Sequence, residues 1–179
     1  ISLSTWSRYC SGSFHLRGQT VEAFADLREW AKSEGVTIAL PLTERSCVLC
    51  NAERSEWENA GITLGCAPDE MLQAAFDKAV TIGGAQQLGV TVPTTIIPES
   101  YDDAVSAIEQ IGFPCVIKPR WSNAWNGKQF FPTQAPTYAN DRDQFLQILS
   151  SLNGETSWPL LQSYVPGRGK GVFALCDRG

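Results

Sequence analysis

The chain has 179 residues, 43% hydrophobic and 18% charged, enough for one medium domain or two small ones with a true core. Its 14 Lys and Arg stand against 19 Asp and Glu, a formal charge of −5, which argues against a non-specific nucleic-acid binder and its basic excess. No apolar run approaches the roughly 20 residues of a membrane span, so neither nucleic acid nor membrane is expected as a partner.

At the amino end, residues 1–14 mix Trp6, Arg8 and serines and show no hydrophobic leader. Residues 20–33 place Val21, Phe24, Leu27 and Ala31 at helical spacing, and Gly35 supplies the stop. The apolar run 36–40 ends at Pro41 and reads as a buried parallel strand. Residues 43–60 form a second helix, with Leu42, Val48, Leu49, Ala52 and Trp57 as core candidates, and 62–65 another short strand. Pro68, Asp69 and Glu70 suit a first helical turn and open a long helix that Gly89 ends. This β-α-β-α order favours a parallel sheet with covering helices.

Beyond Pro93, residues 94–97 read as a strand, 101–111 as a helix, and 115–118 as a strand held between Pro114 and Pro119. An irregular stretch covers 120–128. Residues 129–132 follow as a strand, 141–152 as a helix, and 159–165 as a strand running into the turn-rich segment 166–171. Residues 173–176 read as a strand entering a turn. A hairpin turn needs a second strand, so the polypeptide is expected to continue past Gly179.

The six cysteines fall mostly in apolar segments and read as reduced, buried thiols of a cytoplasmic protein. Cys47 and Cys50 form a lone CxxC. Zinc would need two more ligands, and His15 is the only histidine, so no metal ligand is assigned in the chain. Residues 167–171 lack the spacing and the following helix of a phosphate loop.

Four features carry candidate chemistry. Lys118 closes an otherwise apolar strand, where a lysine must reach solvent, find a partner or lose its proton. Snorkelling at a strand end is the plain alternative; a rigid strand beside a polar loop also suits a lysine that holds a phosphate. Lys78 lies on the long helix, where a lysine is ordinarily a solvated surface residue. The strand containing Gln162, Ser163, Tyr164 and Val165 runs into Pro166 and Gly167, and backbone groups at such an end can pair with a flat heterocycle. It can equally be an ordinary strand-to-turn junction. The segment from Trp121 to Lys128, with Gly127, could close over phosphates. Its two tryptophans are unusual there and are expected to pack on another domain or on an acceptor substrate.

Taken in order, Asp77-Lys78, the run Phe113-Pro114-Cys115-Val116-Ile117-Lys118-Pro119 and the strand end Leu161-Gln162-Ser163-Tyr164-Val165-Pro166-Gly167 resemble the ATP-grasp superfamily. They are most similar to its carbamoyl-phosphate-synthase-like ligases. Leu40-Pro41-Leu42-Thr43-Glu44 resembles the domain that precedes the ATP-grasp fold in those proteins. The resemblance implies an α/β chain: a partial Rossmann-like pre-ATP-grasp domain at 1–67, then the N-terminal α+β lobe of an ATP-grasp fold at 68–179. It implies that Lys78 and Lys118 contact ATP phosphates, that Gln162, Ser163, Tyr164 and Val165 border adenine, and that Gly127 and Lys128 belong to the phosphate-covering loop. Gln162 stands where the family often has Glu.

The implied activity is ATP-dependent carboxylate–amine ligation through an acylphosphate, with ATP and a small-molecule carboxylate as partners. Mg2+ is implied as cofactor, with its ligands and the catalytic residues expected beyond Gly179. Residues 1–179 are therefore expected to show little or no turnover by themselves. Two departures support an alternative, a non-catalytic nucleotide-binding or regulatory module: the loop is poor in glycine, and Lys170-Gly171-Val172-Phe173 offers no acidic residue. A third reading is an interaction domain with no ATP site.

Overall fold

The structure is a computed structural model and describes residues 3–127, 130–152 and 158–174. The chain first forms α1 (Val21–Ser33), β1 (Ile38–Ala39), α2 (Glu44–Ala52), α3 (Arg54–Asn59) and β2 (Thr63–Leu64). Next come α4 (Asp69–Phe76), α5 (Lys78–Gln87), β3 (Thr95–Ile96), α6 (Tyr101–Ile111) and β4 (Cys115–Lys118). A hairpin of β5 (Asn123–Trp125) and β6 (Phe130–Pro132) follows, then β7 (Thr137–Ala139), α7 (Arg142–Ser151) and β8 (Leu160–Ser163). The chain divides into two compact units, one of Ile1–Gly84 with Arg120–Gln134, the other of Ala85–Pro119 with Ala135–Gly179.

In the first unit β1 and β2 pair in parallel, Ile38 with Thr63 and Ala39 with Leu64. Thr20 caps α1 by accepting from the Ala23 amide, and Thr43 caps α2 in a reciprocal box with Ser46. Phe24, Ala31, Leu49, Cys50, Trp57, Ile62 and Leu64 form its core, joined by Ala39, Trp125 and Phe130. The expectation of a strand buried on both faces at 36–40 is corrected here. Ala39 faces the core, but Ile38 is 58% and Leu40 66% exposed, so the run alternates.

Two expected long helices are each broken. The helix expected at 43–60 divides at Glu53, whose carboxylate takes the Arg28 guanidinium at 2.5 Å. The helix expected from 68 to 89 divides at Asp77, which turns extended (φ −80°, ψ 104°) and spends its carboxylate on partners outside a helical ladder. The stretch expected to be irregular holds β5, and 137–139 forms a strand that the reading missed.

The second unit is an antiparallel sheet in the order β3-β8-β4-β7. Register and pleat sort its residues onto two faces. Cys115, Ile117, Ala139, Leu161 and Ile96 face α6 and α7, where Ala104, Ala107, Ile108, Phe145 and Leu149 close the core. Fully burying a side chain of the Leu or Phe class contributes about 1.5–3 kcal/mol. The opposite pleat carries Thr95, Val116, Lys118, Leu160 and Gln162. The helices therefore occupy one face, and Thr95, Lys118 and Gln162 lie together on the other.

Candidate functional site

Lys118 is the last residue of β4, and Gln162 lies diagonally across the ladder on β8, since Val116 is its direct partner. Diagonal neighbours on one face are within reach of long side chains. Lys118 Nζ donates to Gln162 Oε1 at 2.6 Å. Gln162 Nε2 donates to Thr95 Oγ1 on β3 at 2.8 Å, and Thr95 Oγ1 donates to the Pro93 carbonyl at 2.9 Å. An ammonium only donates, so the amide oxygen must face Lys118, and the orientation of the Gln162 amide follows from chemistry. Gln162 is buried at 6% exposure and is satisfied at both ends. Its partner is neutral, and no ion pair to Lys118 forms among the described residues, so the charge is held in place without being cancelled there.

The strand end next to this chain of bonds is tied into the sheet. The Ser163 N–H donates to the Thr94 carbonyl at 2.9 Å and the Tyr164 N–H to the Pro114 carbonyl at 3.3 Å. Both donors are thus used inside the unit, leaving fewer backbone groups for a heterocycle than the sequence suggested. Tyr164 packs its ring edge-on to Tyr138 at 6.2 Å, and Val165 is 64% exposed. Lys118, Gln162, Ser163, Tyr164 and Val165 all belong to the second unit.

Lys78 belongs to the first unit, as the first residue of α5 rather than a mid-helix lysine. Its Nζ donates to Ser122 Oγ at 3.0 Å and its N–H to the Arg120 carbonyl at 3.2 Å. Asp77 Oδ1 accepts from the Ala79 N–H at 2.9 Å. Arg120 clamps the same carboxylate, with Nε 2.8 Å from each oxygen and Nη2 2.6 Å from Oδ2. Burial opposes the Asp77 charge, but the Arg120 hydrogen bonds, the helix amides and the guanidinium charge outweigh it, so the carboxyl is held below its usual range. The Arg120 guanidinium is correspondingly pushed up, first by its hydrogen bonds to Asp77.

The β5–β6 hairpin is pinned within the first unit. Asn123 Oδ1 accepts from Arg45 Nε at 2.7 Å, and its Nδ2 donates to Glu44 Oε2 at 2.7 Å. Trp125 packs on Phe130 at 4.5 Å and joins the core, while Trp121 lies under the Arg120 guanidinium at 4.7 Å. Both tryptophans thus have partners inside the chain, which corrects the expectation that they await another surface. Gly127 follows β5 with φ +90°, a backbone state that favours glycine. Lys128 lies outside the described residues. Among the described residues no group of three or more His, Cys, Asp or Glu is arranged to hold a metal ion.

The structure thus brings Lys118 and Gln162 into contact and places Lys78 with Ser122. The reading missed Thr95 and Arg120. Nothing local in the sequence marks Thr95; Arg120, two residues after Lys118, was visible only as one more basic residue.

No family model matches the chain. The carbamoyl phosphate synthase large chain of Pyrococcus furiosus is 24% identical over 165 residues, 88% of this chain and 14% of that protein. D-alanine–D-alanine ligase from Bacillus anthracis superposes with a TM-score of 0.58 at 19% identity, covering 80% of this chain and 44% of the other. The biotin carboxylase domain of Hydrogenobacter thermophilus 2-oxoglutarate carboxylase, solved with MgADP and bicarbonate, gives 0.57 at 15% identity, covering 81% and 32%. The chain has the fold of an ATP-grasp lobe. It spans 14% of the carbamoyl phosphate synthase large chain and less than half of each of these two solved chains. In this fold the Lys118–Gln162–Thr95 set lies on the sheet face opposite the helices.

Proposed function

We propose that the chain is the ATP-binding segment of an ATP-dependent carboxylate–amine ligase that works through an acylphosphate. The observation that carries this is Lys118, fixed on a strand by a neutral buried amide, its charge without a carboxylate partner among the described residues and suited to the phosphates of a nucleotide. Phosphoryl transfer asks a protein mainly for positioning and charge neutralisation. Lys118 supplies charge at a fixed point. Gln162 holds it there and keeps one acceptor lone pair and one N–H to read the edge of a purine. The strand end at Ser163, Tyr164 and Val165 borders the base; Lys78, in the first unit, is carried as a phosphate-contacting candidate by the family resemblance. Mg2+ accompanies the nucleotide and, when bound, offsets charge on the transferred phosphoryl group.

The test is calorimetric titration with MgATP of the full-length protein and its Lys118→Ala variant. Loss of the lysine is expected to weaken binding by about 10–100-fold, the range in which a lost hydrogen bond to a charged group falls. Unchanged affinity overturns the assignment. The absence of an acidic residue from 170–173 favours a second reading, a nucleotide-binding module without catalysis. Tight MgATP binding with no phosphate release in the presence of candidate carboxylates and amines supports that reading over the first.

A further inference from the structure

Asp77 stands in the break between α4 and α5 and caps the second of them. Its carboxylate accepts the Ala79 N–H at 2.9 Å and its carbonyl the Thr81 N–H at 3.0 Å, which satisfies donors at the start of α5. The Lys78 N–H leaves the helix and reaches the Arg120 carbonyl at 3.2 Å. Arg120 thus holds this turn twice, by its carbonyl on Lys78 and by its guanidinium on the buried Asp77 carboxylate at 2.6 to 2.8 Å. The Lys78 ammonium returns to the same segment and donates to Ser122 Oγ at 3.0 Å. That segment is fixed in turn. The Arg120 guanidinium lies over the Trp121 ring at 4.7 Å, and the Ser122 carbonyl accepts from Thr133 Oγ1 at 2.7 Å. All of these residues belong to the first unit.

We propose that Asp77 and Arg120 are positioning residues that hold Lys78 and Ser122 in the arrangement in which the Lys78 ammonium meets a nucleotide phosphate. This role for the pair rests on the nucleotide reading of Lys78. A lysine side chain loses rotamer freedom when it takes up an anion, and one that is held in advance loses less. Arg120 is committed to Asp77 through both carboxylate oxygens, so its charge is matched inside the protein and the phosphate falls to Lys78. The carboxylate makes the pair testable by sign. A negative charge beside an anion site repels phosphate, so electrostatics alone has nucleotide binding strengthen when the Asp77 charge is removed. Positioning demands the reverse: without its charge, Asp77 loosens its hold on Arg120, the turn and Ser122 lose their common clamp, and binding weakens.

The test is calorimetric titration of the full-length protein with MgATP in a mutant cycle. The single variants are Asp77→Asn, Arg120→Lys and Lys78→Ala, and each of the first two is also combined with Lys78→Ala; circular dichroism checks that each is folded. Asp77→Asn and Arg120→Lys are each expected to weaken binding about three- to tenfold, and Lys78→Ala about tenfold or more. In the Lys78→Ala background the other two substitutions are expected to add less than about twofold, since residues that act only through Lys78 then have nothing to hold. Unchanged or stronger binding in either Asp77→Asn or Arg120→Lys overturns the proposal. So do equal losses with and without Lys78, which would give the pair a general structural role or make Arg120 itself a phosphate ligand. Arg120→Lys keeps a positive charge opposite Asp77 but not the two-pronged hold, and it carries the test by itself if Asp77→Asn does not fold. Unchanged affinity in Lys78→Ala also overturns the proposal, while the Lys118→Ala titration decides separately whether the nucleotide reading stands.

Discussion

Gln162 sits between a cation and a hydroxyl, and its value to the sheet lies in satisfying both. A leucine there keeps the volume but strips Lys118 and Thr95 of their shared partner. Leaving a partly buried polar group unpaired costs about 1–3 kcal/mol. Gln162→Leu is therefore expected to lower the urea midpoint and to weaken MgATP binding together; an unchanged midpoint would contradict the geometry. Asp77 makes a different prediction, in pH. Its carboxyl lies below the usual range when folded, so its pair with Arg120 contributes fully above the unfolded value of about 3.9. That contribution is lost as pH falls through the lower folded value, because the folded state must then take up the proton. Denaturation at pH 7 and near pH 3 should show a pH-dependent loss that Asp77→Asn reduces. An equal loss in the variant would place the acid sensitivity elsewhere.

Helices α6 and α7 show what an element needs in order to be readable. Ser100 and Asp141 cap them through the Asp103 and Gln144 amides, and each sends an apolar stripe onto the sheet. Both caps and stripes are local, and α6 and β4 have the bounds the sequence suggested. What was not legible depended on distant partners. The break at Asp77 needs Arg120, 43 residues on, and the pinning of Asn123 needs Glu44 and Arg45. The strands β5 and β7 are three residues each, too short for a period-2 pattern to emerge. At the site, the order of motifs suggested Lys118 and Gln162, but only the register of β4 and β8 shows that they touch. For α7, Asp141→Ala is expected to cost about 1 kcal/mol through the lost cap. Phe145→Ala is expected to cost about 3–5 kcal/mol through the emptied core. Denaturant titration checks the ranking, and equal costs would mean that Phe145 is not packed as described.

Two separate cores make the molecule measurable in halves. Trp6, Trp30, Trp57, Trp121 and Trp125 belong to the first unit, and Trp158 to the second, where it packs against the core. Tryptophan emission therefore reports mainly on the first unit. Ligand at 100 times its dissociation constant adds about 2.7 kcal/mol to a folded state that alone binds it. With MgATP, melting is expected to rise by several degrees, and amide exchange is expected to slow in peptides covering 115–118 and 160–165. Protection confined to other segments would count against the Lys118 and Gln162 assignment.

The bonds from Lys118 through Gln162 and Thr95 to Pro93 all run in one sense, each group donating onward. Such a series has a polarity: no link can be reversed while its first member is an ammonium, and each bond is strengthened by the one before it. The Gln162 amide consequently cannot rotate without breaking contacts at both ends, and its side-chain protons should give two distinct, slowly exchanging NMR signals. If an anion draws the ammonium away, the disturbance passes down the series to the loop ahead of β3. A spectroscopic label on that glutamine would then act as a built-in gauge of the charge bound at the lysine.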